Sequence, residues 1–266
     1  MNNTIYVANE EKNQILVWHE ENVNPTTIIS GSFTKPRSLF VTTNGDIYIG
    51  NGQTNGEVQK WIAETDTFVT VMNVNSFCFG LFVDRNDTLY CSMFNHHQVV
   101  KKLLNDHVVT PAAGTSIPGS DSNELDCPAG IFVDVNFDLY VADFGNNRIQ
   151  LFQSGESYGI TVAGSGSSNP TITLFNPTGI VLDAEKCLFI VDTGNHRIVR
   201  SGLNGFRCLV GCHGMGSQSK QLNLPFSFSF DRSGNMFVTD EQNHRIQKFI
   251  YEENLCGKLK NNRIRS

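Results

Sequence analysis

Short apolar runs recur along the chain with polar turns between them, and they return in the same order at a nearly constant spacing. The clearest run ends in aspartate and reads GLFVD at Gly80, GIFVD at Gly130, GIVLD at Gly179 and SFSFD at Ser227. Its final residues are separated by 50, 49 and 48 positions: Asp84, Asp134, Asp183 and Asp231. A fixed period of this size is typical of a chain built from structural repeats.

Three further apolar runs follow within each period. The second reads LYCSM at Leu89, LYVAD at Leu139, LFIVD at Leu188 and MFVTD at Met236. The third reads QVVKKL at Gln98, RIQLF at Arg148, RIVRS at Arg197 and RIQKF at Arg245, and a weaker fourth reads HVVTPAAG, GITVAG and FRCLVG. These runs are short, rich in Val, Ile, Phe and Tyr, and bounded by Gly, Asn, Asp or Pro, which predicts strands. Short polar connectors predict antiparallel hairpins, and four strands per period indicate a β-propeller blade.

Two degenerate copies upstream bring the predicted number of blades to six. SLFVTTNGDIYIGNGQTNGEVQKW from Ser38 supplies three strands, and NTIYVANEEKNQILVW from Asn3 supplies a second and third strand, with TTIIS as a candidate fourth. The blades are 1–33, 34–76, 77–126, 127–175, 176–222 and 223–266, a single domain over the whole chain. The first blade lacks its innermost strand, and YEENLCGKL from Tyr251 is a candidate outermost strand for the last. These incomplete blades lead us to expect a fragment of a longer protein.

Charge and composition narrow the function classes. The formal net charge is −6, with 17% charged residues, no apolar run of membrane-spanning length and no visible signal peptide. Residues 1–126 carry 7 Lys/Arg against 14 Asp/Glu, and residues 127–266 carry 13 against 12. This balance disfavours nucleic acid as the main partner, because phosphate binding depends on clustered cations.

The repeat resembles the NHL-repeat family. That family's pattern is a Pro/Gly-led strand ending in Asp, an LYVAD strand, a polar turn of the type xxN(H/N)R, an IQxF strand, then VAG and a Gly-rich loop. Blades four to six match nearly every position, blade three differs by MFNHHQ at Met93, and the match covers about 230 residues. The resemblance implies an all-β, six-bladed β-propeller of four-stranded antiparallel blades. It also implies several settings: the substrate-binding part of a RING-type E3 ubiquitin ligase, an RNA-binding propeller, or an extracellular or sensor module. A ligase role would require a RING domain outside this chain, because the chain has no RING or B-box pattern.

One phrase is repeated almost verbatim: DFGNNR at Asp143, DTGNHR at Asp192 and DEQNHR at Asp240. The aspartates end second strands, and Arg148, Arg197 and Arg245 begin third strands. We expect each Asp and Arg to face each other across a turn in which Gly and Asn tolerate positive φ. A structural role is favoured. At an exposed site a pair of this kind contributes only about 0–1 kcal/mol, and it contributes more if the Arg is wedged between blades.

The same end of the blades carries the long loops that begin at Pro111, Ala163 and Gly211, and rigid scaffolds commonly bind through such loops. The predicted recognition surface is therefore composed of His96, His97, Asn146, Arg148, Asn195, His196, Arg197, Asn243, His244 and Arg245. Three of these histidines, His97, His196 and His244, occupy equivalent turns of different blades. They are expected to be too far apart to share a zinc ion, whose ligand bonds are about 2.0–2.1 Å, so neither a metal nor a cofactor is predicted.

The predicted function is a non-catalytic scaffold that binds a protein partner. Lyases with related propellers hold a metal with inner-strand histidines, and the predicted inner strands here contain none. No Ser-His-Asp order, phosphate-binding loop or carboxylate pair stands out. RNA binding and a lyase- or hydrolase-like activity are the alternatives.

Cysteines leave the compartment open. Cys208 and Cys212 form the close pair that could be a disulfide, without the partners that a zinc site requires. The others considered, Cys78, Cys91, Cys127 and Cys187, are expected to be small buried apolar side chains. Glycosylation sequons at Asn2 and Asn86 give a weak preference for an extracellular location.

Overall fold

The chain folds as an all-β protein in a computed structural model that describes residues 4–19, 22, 24–52, 56–167, 172–202 and 204–250. In these residues, 22 strands form six antiparallel sheets of three or four strands, the organisation of a six-bladed β-propeller. Helix in the same residues is confined to the single 3₁₀ turns Phe94–His96, Thr193–Asn195 and Glu241–Asn243. The predicted fold class is confirmed. The described residues contain no helix that is both long and apolar enough to cross a membrane.

The chain divides into two compact units, and the first is Met1–Phe137. Its first sheet has three strands, β1 (Thr4–Asn9), β2 (Gln14–His19) and β3 (Thr27–Ser30). The second has β4 (Ser38–Val41), β5 (Ile47–Gly50), β6 (Glu57–Ile62) and β7 (Thr67–Asn73). The third has β8 (Cys78–Val83), β9 (Thr88–Met93), β10 (Gln98–Leu103) and β11 (Thr110–Gly114), and β12 (Pro128–Val133) is the last strand of this unit. Strand β7 was missed by the sequence analysis because its alternating Thr and Val residues are half exposed.

The second unit is Asp138–Ser266. It contains β13 (Leu139–Asp143), β14 (Arg148–Phe152) and β15 (Ile160–Gly164), followed by a sheet of β16 (Pro177–Leu182), β17 (Leu188–Asp192), β18 (Arg197–Gly202) and β19 (Gly205–Val210). The last sheet has β20 (Pro225–Phe230), β21 (Met236–Asp240) and β22 (Arg245–Phe249). The outermost strand predicted from Tyr251 lies outside the described residues.

The middle strands are apolar at consecutive positions because both faces of each sheet are covered. Every residue of β5 and of β17 is buried. In the second unit, Phe189 of β17 packs in one cluster with Phe228 of β20 and Phe249 of β22. A strand buried on both faces loses the simple alternation of apolar and polar residues, which matches the continuous runs in the sequence.

The aspartates that end the first strand of each repeat cap the following turn. Asp84 Oδ1 accepts hydrogen bonds from the amides of Asn86 and Thr88, both at 2.9 Å. Asp231 Oδ1 accepts from Ser233 and Asn235, both at 2.8 Å. Asp134 and Asp183 bind their turn amides in the same way. An Asp side chain that satisfies its own turn backbone explains why the residue type recurs with the period.

Disulfides correct the expectation for the cysteines in the strands. Cys78 and Cys91 are joined by a disulfide between β8 and β9, with a Cα–Cα distance of 5.2 Å, and Cys187 is also disulfide-bonded. The expected burial of these three residues is confirmed, since they are 1%, 0% and 0% exposed, but the sequence analysis did not predict that they form disulfides. For Cys78 and Cys91, hairpin pairing brings together residues that are 13 positions apart in sequence. Cys208 and Cys212 are also joined by a disulfide, and Cys127 is a half-buried thiol.

Candidate functional site

The repeated Asp and Arg residues of the second unit form three ion pairs in which the carboxylate is fully buried. The two residues face each other across the register of neighbouring strands. The Nε–Oδ2 distances are 2.7 Å for Arg148–Asp143, 2.7 Å for Arg197–Asp192 and 2.8 Å for Arg245–Asp240. All three aspartates are 0% exposed. The value of about 0–1 kcal/mol for an exposed pair therefore does not apply, because losing the partner of a buried carboxylate costs much more.

An asparagine in each turn completes the same unit. Asn146, Asn195 and Asn243 donate from Nδ2 to the carboxylate of their own turn at 2.8, 2.9 and 2.9 Å. The following residue in each turn is left-handed, with φ values of 55°, 55° and 52° at Asn147, His196 and His244. We call each set of Asp, Asn and Arg a clamp, because the sets of Asp192 and Asp240 also bind a long loop.

The clamp of Asp192 holds the loop 165–176, of which 165–167 and 172–176 are described. Arg197 Nη2 donates to the Thr173 carbonyl at 2.7 Å, and the Phe175 amide donates to Asp192 Oδ1 at 2.8 Å. Asn195 Nδ2 also reaches the Thr173 carbonyl, at 3.3 Å. The loop backbone is therefore tied to a buried charge pair.

The clamp of Asp240 holds the loop 211–224 in the same way. Arg245 Nη2 donates to the Gln218 and Gln221 carbonyls at 3.0 and 3.2 Å. Asn243 Nδ2 donates to the Gly216 carbonyl at 2.9 Å, and the Asn223 amide donates to Asp240 Oδ1 at 2.7 Å. Repetition of the contacts in two successive loops shows that the phrase in the sequence encodes loop attachment.

A second repeated contact, which we call the latch, joins each such turn to the start of the next sheet. In each latch, the side chain of the turn residue with positive φ accepts a hydrogen bond from a backbone amide. The residue that donates this hydrogen bond also has a positive φ, and it directly precedes a proline. Four latches are described, at 2.7, 3.1, 2.8 and 3.0 Å: Asn13 with Lys35, His97 with Cys127, Asn147 with Asn176, and His196 with Leu224. The imidazole Nδ1 of His97 and of His196 is thus an acceptor in the backbone framework.

In two turns of the first unit, uncharged residues occupy both the Asp and the Arg position of the clamp. Asn9 faces Gln14 across β1 and β2, and Met93 faces Gln98 across β9 and β10. A buried aspartate without its arginine would be an uncompensated charge. Joint replacement by uncharged residues avoids that cost and supports a structural role for the pair.

The clamps and loops of the second unit lie at one end of its sheets, which we call the loop face: residues 144–147, 165–167, 172–176, 193–196, 211–224 and 241–244. Of the predicted recognition residues in this unit, His244 is exposed, whereas Arg148 is buried and the others are half buried. The polar groups of most of these residues form the hydrogen bonds of the clamps and latches. In the first unit, His96 is exposed and His97 is half buried.

Sequence reasoning missed the large apolar side chains that the loop face exposes. Phe175 is 50% exposed and Met215 is 63% exposed. Met215 stands alone in GMGSQS, and Phe175 follows Ile172 and Leu174 in TITLFN, so neither is marked by a distinct pattern. Exposed apolar residues are also common on protein surfaces, so the sequence did not identify these two.

Titratable groups elsewhere in the first unit are paired within the fold. Lys60 Nζ lies 2.8 Å from Asp46 Oδ2, and this hydrogen bond holds the pKa of Asp46 below its usual value. Burial, together with the neighbouring Asp84 carboxylate, raises the pKa of Tyr90. One group of three residues combines metal-ligating atoms among the described residues, namely His97, Asp126 and Cys127. The sequence analysis had considered His97 only together with His196 and His244.

Comparison with known proteins supports the fold and does not identify a family. No family model matches the chain, and no curated protein matches it. A protein of unknown function from Bacteroides thetaiotaomicron superposes with a TM-score of 0.75 at 15% identity, covering 93% of this chain and 66% of that one. An auxiliary nutrient binding protein from Bacteroides ovatus gives 0.70 at 16% identity, covering 94% and 69%. A virginiamycin B lyase from Staphylococcus aureus gives 0.62 at 14% identity, covering 95% and 82%. The chain thus spans about two thirds of the first two proteins, and likeness at these identities extends to the fold alone.

Proposed function

We propose that the chain is a non-catalytic NHL-type β-propeller module that binds a partner protein through the loop face. The observation that carries the proposal is the attachment of both described loops of the second unit to buried clamps. Loops fixed in this way lose little conformational entropy on binding, and such preorganisation favours affinity and specificity. The recognition residues proposed from the sequence then act mainly by positioning the loops.

The contact residues proposed here are Phe175 and Met215. Phe175 is directly held, because its amide donates to Asp192 and its carbonyl accepts from the Gly194 amide at 2.8 Å. Met215 precedes Gly216, whose carbonyl accepts from Asn243. Fully burying an apolar side chain of this size contributes about 1.5–3 kcal/mol. Since each is already partly covered, we expect about 1–2 kcal/mol from each in a complex.

A protein partner is favoured over RNA by the use of the arginines. Arg197 and Arg245 each bind a carboxylate and loop carbonyls. Their guanidinium groups are thus engaged within the chain, whereas phosphate binding needs cations that can reach the ligand. The net charge of −6 also disfavours binding of polyanionic RNA. Exposed apolar side chains on a rigid surface are instead typical of protein interfaces.

Photo-crosslinking tests the proposal with a control in the same unit. A photoreactive amino acid is placed at position 215 or, in the control, at position 158. Tyr158 is 66% exposed and follows β14, whose other end begins at the clamp residue Arg148, so it lies away from the loop face. Crosslinking in an extract of the source organism, with and without ribonuclease, is expected to give a ribonuclease-resistant protein adduct at position 215 only.

Binding measurements with the purified partner complete the test. We expect Phe175→Ser and Met215→Ser each to weaken binding about 5- to 30-fold, as the loss of about 1–2 kcal/mol requires. Tyr158→Ser should change the affinity less than twofold. Equal crosslinking at both positions, or an affinity that neither loop variant alters, would refute binding through this face. Adducts that disappear with ribonuclease would favour RNA.

A further inference from the structure

One of the four latches contains side chains that the latch itself does not need. The left-handed donor is Lys35, Asn176 or Leu224 in three of them, and Cys127 in the fourth. The preceding residue is Thr34, Phe175 or Asn223 in the first three, and Asp126 in the fourth. The same backbone contact therefore forms with residue types that share no chemistry, and it does not account for an Asp–Cys pair beside a histidine.

The atoms of this latch are close enough to act on one another. His97 Nδ1 lies 3.2 Å from Asp126 Oδ1 and 3.1 Å from the Cys127 amide nitrogen. One nitrogen, one carboxylate oxygen and the thiol sulfur of Cys127 lie within 4.8 Å of one another. All three residues are half buried, so solvent and ions can reach them.

Nδ1 of His97 has one lone pair, and the Cys127 amide donates a hydrogen bond to it at 3.1 Å. A metal ion at Nδ1 would have to displace this hydrogen bond. The Asp126 carboxylate oxygen, 3.2 Å from Nδ1, would then be a second ligand atom beside it.

The spacing fits ligands of one small divalent ion. Two N or O ligands on a tetrahedral Zn²⁺ lie about 3.3–3.5 Å apart, given bonds of about 2.0–2.2 Å, and a thiolate lies about 3.6 Å from either. The nitrogen and oxygen are already at nearly this separation. The sulfur lies within 4.8 Å of both atoms, so it needs to approach by at most about 1.2 Å, which a change of side-chain torsion can supply. A mixed set of imidazole, carboxylate and thiolate suits Zn²⁺ or Co²⁺ and not Mg²⁺ or Ca²⁺, which prefer oxygen ligands.

We propose that His97, Asp126 and Cys127 form a binding site for a divalent transition-metal ion of the zinc type. Three protein ligands leave a fourth position for water or for a group from a bound molecule. Metal at Nδ1 replaces the hydrogen bond from the Cys127 amide. Binding therefore opposes the latch and is expected to loosen the loop residue that carries the thiol.

Cobalt titration of the purified chain tests the site, because Co²⁺ bound by a thiolate has a charge-transfer absorption that other ligands do not produce. We expect one such site per chain and displacement of Co²⁺ by Zn²⁺, measured by absorbance and by calorimetry. The disulfides are kept oxidised, so Cys78, Cys91, Cys187, Cys208 and Cys212 supply no thiolate.

The control variants are taken from the other latches, so that each is already compatible with this backbone. Cys127→Leu copies Leu224, Asp126→Asn copies Asn223 and His97→Asn copies Asn147. Each is expected to keep the thermal stability of the metal-free protein within a few degrees. Cys127→Leu should abolish the charge-transfer band, and each of the other two should weaken binding more than about tenfold.

A gain-of-site variant tests whether the same three residue types create a metal site in another latch. Asn223→Asp together with Leu224→Cys places the same pair beside His196 in an equivalent latch. We expect it to bind a second Co²⁺ with the same thiolate band. The proposal is overturned if the wild-type chain shows no stoichiometric band, or if Cys127→Leu binds Co²⁺ and Zn²⁺ as the wild type does.

Discussion

Replacement of both members of one clamp is expected to cost much less stability than the sum of the two single replacements. The clamp of Asp192 and Arg197 is suitable because its carboxylate is 0% exposed and accepts from Phe175, Asn195 and Arg197. The substitutions are Asp192→Asn and Arg197→Gln. They reproduce Asn9 and Gln14, which face each other in the first sheet.

The magnitudes follow from burial. Breaking a buried pair by removing one partner costs about 3–5 kcal/mol. For Asp192→Asn we expect about 3 kcal/mol, because the remaining Arg197 side chain is 22% exposed and can be partly hydrated. For Arg197→Gln we expect about 3–4 kcal/mol, because the remaining carboxylate is fully buried. The double variant leaves no charge and should lose about 2–3 kcal/mol, mainly from hydrogen bonds to the loop.

Thermal and urea denaturation of the four proteins measures this cycle. The expected coupling is about 3–5 kcal/mol, and at about 2 °C per kcal/mol the single variants should melt about 6–8 °C below the wild type. The exposed Glu156→Gln in the same unit is the control, with an expected change within about 0.5 kcal/mol. A fifth variant, Asp192→Ala, removes the Oδ1 atom that accepts from the Phe175 amide, and hydrogen exchange at this amide should be faster in it. Additive single effects, or an unchanged Phe175 amide, would refute the clamp as a buried, loop-holding unit.

Three further predictions concern other parts of the fold. The pKa of Asp46 is lowered chiefly by its hydrogen bond to Lys60. The stabilisation from this bond is present above the unfolded pKa of about 3.9 and is lost as the pH falls through the lower folded pKa. Lys60→Met should therefore be less stable than the wild type at neutral pH, and acid denaturation should show a smaller loss of its stability between about pH 5 and 2. Peptide mapping without reduction should recover Cys78 linked to Cys91, and replacing both with Ser should lower the free energy of unfolding by about 3 kcal/mol, given the sequence separation of 13 residues. Asp231→Ala removes an acceptor for two turn amides and should cost about 1–2 kcal/mol in urea denaturation, whereas Asp231→Asn, which keeps an oxygen, should cost less.

The period and the residue types were sufficient to predict the strands. Runs such as LYVAD and LFIVD are apolar up to their final Asp because the sheets are covered on both faces, and the turn aspartates such as Asp84 recur because each caps its own backbone. These features depend on residues that are close together in the sequence, so they are visible as a pattern along the chain. Strand β7 was the exception, since its half-exposed Thr and Val residues lack a distinct pattern.

Contacts between distant segments were decided only by the tertiary structure. The sequence placed Asp192 and Arg197 across a turn, but burial of the carboxylate and the bond from Arg197 to the Thr173 carbonyl depend on how a loop 24 residues earlier folds back. The exposure of Phe175, the disulfide of Cys78 with Cys91 and the approach of Asp126 to His97 are of the same kind. Sequence determines which groups are present and which local turns they favour. The positions at which those groups meet are set by the packing of sheets and loops, which no local sequence pattern reveals.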